Sequence, residues 1–459
     1  MKVKKMKTVA FHNLGCKVND YETDIMQQKF TENGFRVVPF TQKADVFVIN
    51  TCTVTNIADR KSRQMLHRAK KLNPDAIVIA VGCYVQTAGK EILKDESIDI
   101  AIGNNKKTDI INILNEYIKD NKADKAENII DIGQTSEYES MFLTNTAERT
   151  RAYIKIQDGC DQFCSYCLIP YARGRARSRD EADILEEIKG LAGKGYHEFV
   201  LTGIHVSSYG VDRVVNDGKK AEFNTMGREW TNEYLIGLLQ EMDNMDGVSR
   251  IRLSSLEPRI VTEEFASRIS KIGKLCPHFH LSLQSGSDAT LKRMNRHYTS
   301  EEYLRGVRLL RKYFDDPAIT TDIIVGFPGE SEEDFKTSFE FARRVSFYEM
   351  HIFKYSKRNG TAAAKMPDQI ADSIKEERSH AMIGLRDELS EDFRRSYIGK
   401  VRPVLVEEEI KIGKETYMVG FTPEYIKVAV GTEGISKNGI YDVTIEDFLD
   451  GEIMKGTVK

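Results

Sequence analysis

Charge of one sign, long apolar runs and local catalytic signatures are all missing from these 459 residues. Basic and acidic side chains number 67 and 70, a formal net charge of −3. No global basic field therefore draws nucleic acid, and such a partner has to meet a local patch. No run of roughly 18 apolar residues occurs, so no helical membrane span is expected. The opening MKVKKMKTVAFHNLG is basic, but its apolar stretch breaks at His12 and Asn13, too early for a secretory leader, and a cytoplasmic protein is expected. Ten prolines leave little room for a Pro-rich disordered tract. The nine histidines show no HExxH spacing, and neither a P-loop nor a dinucleotide glycine fingerprint is present. Cysteine is scarce as well. Seven residues, an odd number in a long chain expected to be cytoplasmic, argue against a disulfide framework.

What remains is a globular composition, 41% apolar and 30% charged, long enough for about three domains. From residue 7, KTVAFHNLG, ADVFVINT, AIVIAVG and DIAIG read as strands, and amphipathic stretches at 21–33, 56–72, 87–93 and 108–118 read as helices. Alternating β and α with apolar strands implies a parallel sheet covered on both faces. Three of the strands run into a cysteine: Leu14-Gly15-Cys16, Asn50-Thr51-Cys52 and Val81-Gly82-Cys83. The carboxyl ends of such strands share one edge, where ligands bind. Free cysteine also finishes buried strands without any role, but three at one topological point favour a shared ligand. The glycines before Cys16 and Cys83 let the backbone approach a bulky group.

Residues 119–150 turn polar and read as a linker with one short strand at most. Beyond it, AYIKIQDG, HEFVLTG, SRIRLSS, HFHLSLQSG, AITTDIIVG and MHIFKYS supply six strands over about 230 residues, too few for a closed eight-stranded barrel. A partial (β/α)6 barrel is expected. Its ligands belong at the carboxyl ends of the strands, where Thr202, Gly203, Ser254, Ser255, Glu257, Gln284, Ser285 and Asp322 cluster. After a long charged helix at 371–397, short alternating segments from Lys400 suggest a small antiparallel barrel.

Cys160-x3-Cys164-x2-Cys167 is the sharpest motif. One loop presents three thiolates to one metal centre. Closed zinc sites want four ligands, and no fourth Cys or His lies at local spacing. Three thiolates suit a [4Fe–4S] cluster with one open iron. Cys276 stands apart and reads as a buried thiol.

The residues around this loop, Asp158-Gly159-Cys160-x3-Cys164-Ser165-Tyr166-Cys167, resemble the radical S-adenosylmethionine enzymes. The resemblance implies that the three cysteines hold a [4Fe–4S] cluster whose open iron chelates the cofactor, with Tyr166 beside the adenine. The cofactor supplies the radical chemistry; the protein supplies position and electronics. LGCKVNDYET, NTCTVT, AVGCYVQ, DGCDQFCSYCLIPYARGRARSR and TDIIVGFPGE together are similar to the methylthiotransferases within that class, over nearly the whole chain. Membership implies a second [4Fe–4S] cluster on Cys16, Cys52 and Cys83 carrying the sulfur to be inserted. Two S-adenosylmethionine molecules are consumed per product. An external one-electron reductant such as flavodoxin or ferredoxin and a sulfur source are implied too.

The fold so implied has three parts: an open flavodoxin-like parallel sheet, a radical partial barrel and a small antiparallel β-barrel of the TRAM kind. The expected divisions are 1–118 for the first domain, 119–145 for the linker, 146–378 for the radical domain and 379–459 for a connecting helix with the β-barrel. Cofactor contacts are expected from Tyr166, Thr202, Gly203, Ser254, Ser255, Glu257, Gln284 and Asp322, with the turn Gly326–Glu330 shaping the adenine pocket.

LGCKVN-x-YET and IPYARG resemble the branch acting on N6-threonylcarbamoyladenosine beside the tRNA anticodon; Asp20 departs from the Gln usual there. The product would be the 2-methylthio derivative at tRNA position 37. A carboxylate-bearing substrate needs cations, and Arg173, Arg175, Arg177 and Arg179 follow the cysteine loop. They suit a substrate carboxylate, an RNA phosphate or a solvated surface alike. Arg60, Lys61, Arg63, Arg68, Lys70 and Lys71 on one helix fit either a tRNA backbone or an ordinary exposed face. The family's barrel usually grips tRNA, yet residues 401–459 hold seven basic against eleven acidic side chains, which weakens that expectation. Isopentenyladenosine tRNA or a ribosomal protein side chain remain alternative substrates, and a noncatalytic iron–sulfur protein that binds RNA or senses redox state is the alternative of another class.

Overall fold

The computed structural model describes residues 7–120, 125–145, 150–216 and 231–459. The first unit runs β1 (Thr8–Asn13), α1 (Lys17–Glu32), β2 (Arg36–Val38), β3 (Val46–Thr51), α2 (Asn56–Leu72), β4 (Ile77–Gly82), α3 (Cys83–Ala88), β5 (Ile100–Ile102), α4 (Ile110–Lys119) and β6 (Ala126–Asn128). Its sheet is parallel throughout in the order β2-β1-β3-β4-β5-β6. As far as β5 this is the flavodoxin-like order, with the reversal between β1 and β3. Every residue of β3 and β4 is buried, which is why VFVIN and IVIAV are unbroken apolar runs rather than alternating ones. Met26, Phe30 and Leu114 cover one face against Val48 and Ile79, while Leu66 and Ala69 cover the other against Phe47 and Val78.

The stretch expected as a linker is fastened instead. Ala126–Asn128 joins the sheet as its edge strand, and Met141 and Leu143 pack on Tyr21 and Ile25. A three-residue edge strand carries no periodicity to read, and the polar sequence between its contacts reflects a path along the surface.

All six strands expected for the second unit form. In order come β7 (Arg151–Lys155), the short antiparallel pair β8 (Gln157–Asp158) and β9 (Arg177–Ser178), β10 (Glu198–Thr202), β11 (Arg250–Leu253), β12 (His278–His280), β13 (Ala318–Val325) and β14 (Glu349–Lys354). The trios β11-β10-β7 and β12-β13-β14 are each parallel, and single parallel bridges, Ile251 to Leu275 and Leu256 to Leu281, join them into one six-stranded arc. Interleaved are α5 (Ile169–Arg173), α6 (Glu181–Ala192), α7 (Val211–Asn216), α8 (Glu233–Asp243), α9 (Glu263–Ile269), α10 (Asp288–Arg293), α11 (Ser300–Tyr313) and α12 (Glu332–Val345). Thr299 with Glu302 and Ser331 with Asp334 form capping boxes that start α11 and α12.

Helix α13 (Asp372–Arg395) leads to β15 (Val401–Ile412), β16 (Glu415–Phe421), β17 (Lys427–Val430), β18 (Ile440–Asp450) and β19 (Ile453–Val458). They close a barrel in the order β15-β16-β17-β19-β18. The expected antiparallel barrel needs one correction, because β17 and β19 pair parallel. A ring of five strands cannot alternate direction all the way round, so one parallel pair is unavoidable. Arginines bolt this barrel onto the amino-terminal ends of the radical strands. Arg250 donates to the carbonyls of Phe421 at 2.8 Å and Pro403 at 2.6 Å, Arg252 donates to that of Pro423 at 2.8 Å, and Arg151 pairs with Glu407 at 2.7 Å. Among the described residues no helix is long and apolar enough to cross a membrane.

Candidate functional site

In the register of the first sheet, Asn13 stands opposite Asn50, Asn50 opposite Val81 and Thr51 opposite Gly82, so three neighbouring strands end level. Cys16, Cys52 and Cys83 leave that edge together. Cys16 caps α1 from extended backbone and Cys83 opens α3. Side chains stitch the loops: Asn19 Nδ2 donates to Leu14 O at 2.9 Å and Thr51 O at 3.1 Å, and Thr51 Oγ1 donates to Val81 O at 2.6 Å. Gly15 has φ +136°, and a Cβ there would lie 2.8 Å from the Asn19 amide and 3.3 Å from the Cβ of Cys52. Gly82 has φ +98° with Asn50 Oδ1 only 2.6 Å from a Cβ. Both positions need glycine. Two donors reach the sulfur of Cys83, Arg173 Nε at 3.3 Å and Asn104 Nδ2 at 3.5 Å. Burial, then the Cys83 sulfur, push the Cys52 thiol up to about 12, while Cys16 stands exposed. Such thiols give up their protons to a bound cation.

The second triad sits beyond β8, at the carboxyl end of the arc. Gly159 has φ +74°, and a Cβ there would lie 1.9 Å from the Arg175 carbonyl oxygen. Cys160 N donates to Gly174 O and Cys167 N to Cys164 O, both at 3.0 Å. Ser165 is anchored on α10 and the residue after it, through Met294 O at 2.9 Å and Arg293 O at 2.8 Å. Arg296 Nη1 donates to the Cys164 sulfur at 3.3 Å. Burial, then Cys164, push the Cys167 thiol up to about 12, and Cys83 of the other triad contributes to the rise. Arg173, six residues after Cys167 at the end of α5, reaches the Cys83 sulfur, so one short helix ties the two triads together.

Among the described residues the one trio of Cys, His or carboxylate groups with donor atoms all within 4.8 Å is His280, Asp322 and His351. The sulfurs of neither cysteine triad crowd as they would around a single tetrahedral ion. That spread, three thiols per set and no fourth ligand fit a cluster of several irons better than one zinc ion.

A cavity of about 290 Å³ opens beside the second triad, with Cys160, Cys164 and Cys167 in its wall. Tyr166, Ser255, Glu257, Gln284 and Asp322 line it. Thr202, Gly203 and Ser254 share the rim without lining the cavity, and Thr202 is fully buried. The Tyr166 ring meets Phe327 edge to face at 6.2 Å, and Gly326 N donates to Glu330 Oε2 at 2.6 Å, so the Gly326–Glu330 turn stands behind Tyr166 without itself lining the cavity. Sequence reading missed Arg296 and His205, and it missed Val54 and Thr55, which bring the first unit into the wall. Arg296 stands in an irregular loop, where no spacing rule applies. Cys276 is buried away from both triads, and burial pushes its thiol up to about 11.

The arginine run behaves differently from expectation. Arg173 is wholly buried, held by Glu22 at 2.9 Å, Asp158 at 3.1 Å and Asn19 at 2.7 Å. Arg177 is buried on Arg173 O at 2.9 Å, and Arg179 on Glu187 at 2.7 Å. None of the three can meet a substrate carboxylate, because all three guanidinium groups are buried where the first and second units meet. Arg175 alone is exposed, paired with Asp161 at 3.1 Å and lying over Phe163. A cation unforeseen from sequence stands near the first triad. Lys17 follows Cys16 and is exposed to solvent.

Two known families match the chain: the Radical SAM superfamily over residues 154–342 and the uncharacterized protein family UPF0004 over residues 8–103. The threonylcarbamoyladenosine tRNA methylthiotransferase MtaB of Bacillus subtilis is 41% identical over 93% of this chain and 91% of its own. Its Aquifex aeolicus counterpart is 40% identical over 89% and 95%. The tRNA-2-methylthio-N(6)-dimethylallyladenosine synthase of Pelotomaculum thermopropionicum is 34% identical over 89% and 87%. Among solved structures, the radical S-adenosylmethionine methyltransferase TsrM of Kitasatospora setae aligns with a TM-score of 0.53 at 15% identity, covering 76% of this chain and 73% of that one; the likeness is one of fold. Arc, cavity and cysteine loop thus define a radical S-adenosylmethionine enzyme. Within that class the chain belongs to the methylthiotransferase family, with S-adenosylmethionine and [4Fe–4S] clusters as its cofactors.

Proposed function

We propose that this enzyme methylthiolates C2 of N6-threonylcarbamoyladenosine at position 37 of tRNA. The observation that carries the reading is the meeting of two three-cysteine sets: one at the switch point of the first sheet, the other at the carboxyl end of the arc, with Val54 and Thr55, just after Cys52, sharing a cavity wall with Cys160, Cys164 and Cys167. Cys160, Cys164 and Cys167 are assigned to the cluster that binds S-adenosylmethionine, and Cys16, Cys52 and Cys83 to the cluster that carries sulfur. Bound there, these groups supply a substrate-activating radical and the methylthio group, consuming two S-adenosylmethionine molecules per product.

The chain's own residues bind and shield. Tyr166, Glu257, Gln284 and Asp322 shape a cavity for the cofactor, and Val54 and Thr55 close its wall against water from the side of the first triad. With Arg173 and Arg177 buried, reception of the threonyl carboxylate passes to the exposed Lys17 beside Cys16. An isopentenyl side chain offers Lys17 nothing. Arg60, Lys61, Arg63, Arg68 and Lys71 stand exposed along α2, which starts four residues after Cys52, and would track the anticodon-stem backbone. Electrons come from an external one-electron reductant such as flavodoxin or ferredoxin, sulfur from an outside source, and the work is done in the cytoplasm where tRNA is used.

Anaerobic reconstitution with iron and sulfide, then reaction with S-adenosylmethionine, reductant and tRNA carrying threonylcarbamoyladenosine, tests this. A methylthio mass gain on that nucleoside, lost in Cys16→Ala and in Cys164→Ala, is expected. Release of 5′-deoxyadenosine without the gain would sink the substrate and point to isopentenyladenosine tRNA or a ribosomal protein.

A further inference from the structure

We infer that Arg173 is a positioning residue for the group held by Cys16, Cys52 and Cys83, supplying its compensating charge and an N–H···S contact at Cys83. The inference rests on reading those cysteines as cluster ligands.

The charge count points there. Among the described residues, Lys107, Lys155, Arg173, Arg177 and Arg179 are buried with Glu22, Asp158, Glu139 and Glu187 where the first unit meets the second, five cations for four carboxylates. Lys107 pairs with Glu22, Lys155 with Glu22 at 2.8 Å and Asp158 at 2.7 Å, and Arg177 stands 3.9 Å from Asp158. Arg173 bonds both Glu22 and Asp158, and its remaining face, Nε, turns to the Cys83 sulfur at 3.3 Å. A surplus buried charge is costly unless paired. A neutral thiol does not pair it. Three thiolates on a [4Fe–4S]2+ core carry a net charge of about −1, matching the surplus.

Arg173 is also the last residue of α5, six positions after Cys167. The residue that steadies one triad is thereby fixed to the loop that carries the other. A positive charge at this buried point favours the more reduced, more negative state, so it raises the reduction potential of the first-triad cluster.

The test uses the full chain with Cys160→Ala, Cys164→Ala and Cys167→Ala, reconstituted so that the first triad alone is loaded. Near four irons per chain supports the ligand reading; none ends that reading and this inference with it. On loaded protein, midpoint potentials are read by electron paramagnetic resonance during stepwise dithionite reduction. Arg173→Gln is expected to make the cluster at least tenfold harder to reduce, a shift of about 59 mV for one electron. Arg173→Lys keeps the charge and is expected to shift it by less. A loaded Arg173→Gln protein with an unchanged midpoint overturns the inference while leaving the ligand reading intact.

Should Arg173→Gln not fold, two readouts decide. Arg173→Lys is expected to alter the resonance Raman Fe–S(Cys) stretch, and an unaltered stretch and midpoint overturn the N–H···S contact. The thermal cost of Arg173→Lys should be no smaller in loaded protein than in Cys16→Ala/Cys52→Ala/Cys83→Ala protein, where the guanidinium has no sulfur to meet. The reverse order overturns the N–H···S contact.

Discussion

Arg358, near the end of the radical arc, donates to the hydroxyl of Thr53 at 2.6 Å although 305 positions separate them. The same guanidinium pairs with Asp59 at 2.6 Å and donates to Asn56 Oδ1 at 2.5 Å. It therefore gathers the residue after Cys52 and the first turn of α2 onto the second unit. Arg358→Ala leaves Asp59 partly buried and unpaired, and a loss of about 3 kcal/mol is expected in denaturant unfolding. Iron retained by the first triad should fall with it.

Gly159→Ala is expected to remove the second cluster while sparing the first. The backbone there has φ +74°, and the Arg175 carbonyl already occupies the space of a Cβ at 1.9 Å. Iron analysis should give about half the wild-type content, with no cleavage of S-adenosylmethionine. A fully loaded Gly159→Ala protein would contradict the loop geometry.

Charge reversal on α2 bears on tRNA. Arg60, Lys61 and Arg68 are exposed, so a triple change to Glu should leave folding nearly untouched. Binding of tRNA should weaken across all sequences, and the slope of log affinity against log salt should shrink by about 0.9 per lost phosphate contact. An unchanged slope would return this face to plain solvent.

Lys17→Met should discriminate substrates. A rise in KM is expected on threonylcarbamoyladenosine tRNA, with release of 5′-deoxyadenosine in the absence of tRNA unaffected. Equal KM values for variant and wild type would rule out Lys17 as the carboxylate receptor.

His205, in the cavity wall, is pulled down to about 4 by burial, with Arg296 and Arg259 adding to the fall against Glu257. Its folded value lies below the ordinary 6.5, so the neutral ring is the form the fold tolerates. Its contribution to stability is full above pH about 6.5 and is lost as pH falls towards 4. His205→Asn should flatten the loss of unfolding midpoint over that window; parallel curves would contradict the assignment.

Much of this architecture was legible along the chain. Buried parallel strands such as β3 and β4 announce themselves as unbroken apolar runs, and Cys16, Cys52 and Cys83 declared their common edge because each follows the end of a strand. Cys160, Cys164 and Cys167 are local, so spacing alone revealed them. The sequence allows one short strand within 119–150, but its place at Ala126–Asn128 stayed hidden because three residues carry no period. The parallel β17–β19 pair follows from closing an odd ring, which no single strand encodes.

The arginines show where reading along the chain stops. Composition and motif determined by themselves the class of fold, the two cysteine triads and the family. Arg173, Arg175 and Arg177 look alike in sequence, each two residues from the next, yet only Arg175 meets solvent. Burial and partner choice depend on which distant carboxylates arrive, here Glu22 from α1 and Asp158 from β8. Whether a cation serves substrate or scaffold was therefore decided by the packing of the first unit on the second, because the free energy of a charge is set by its surroundings in space and not by its neighbours in the chain.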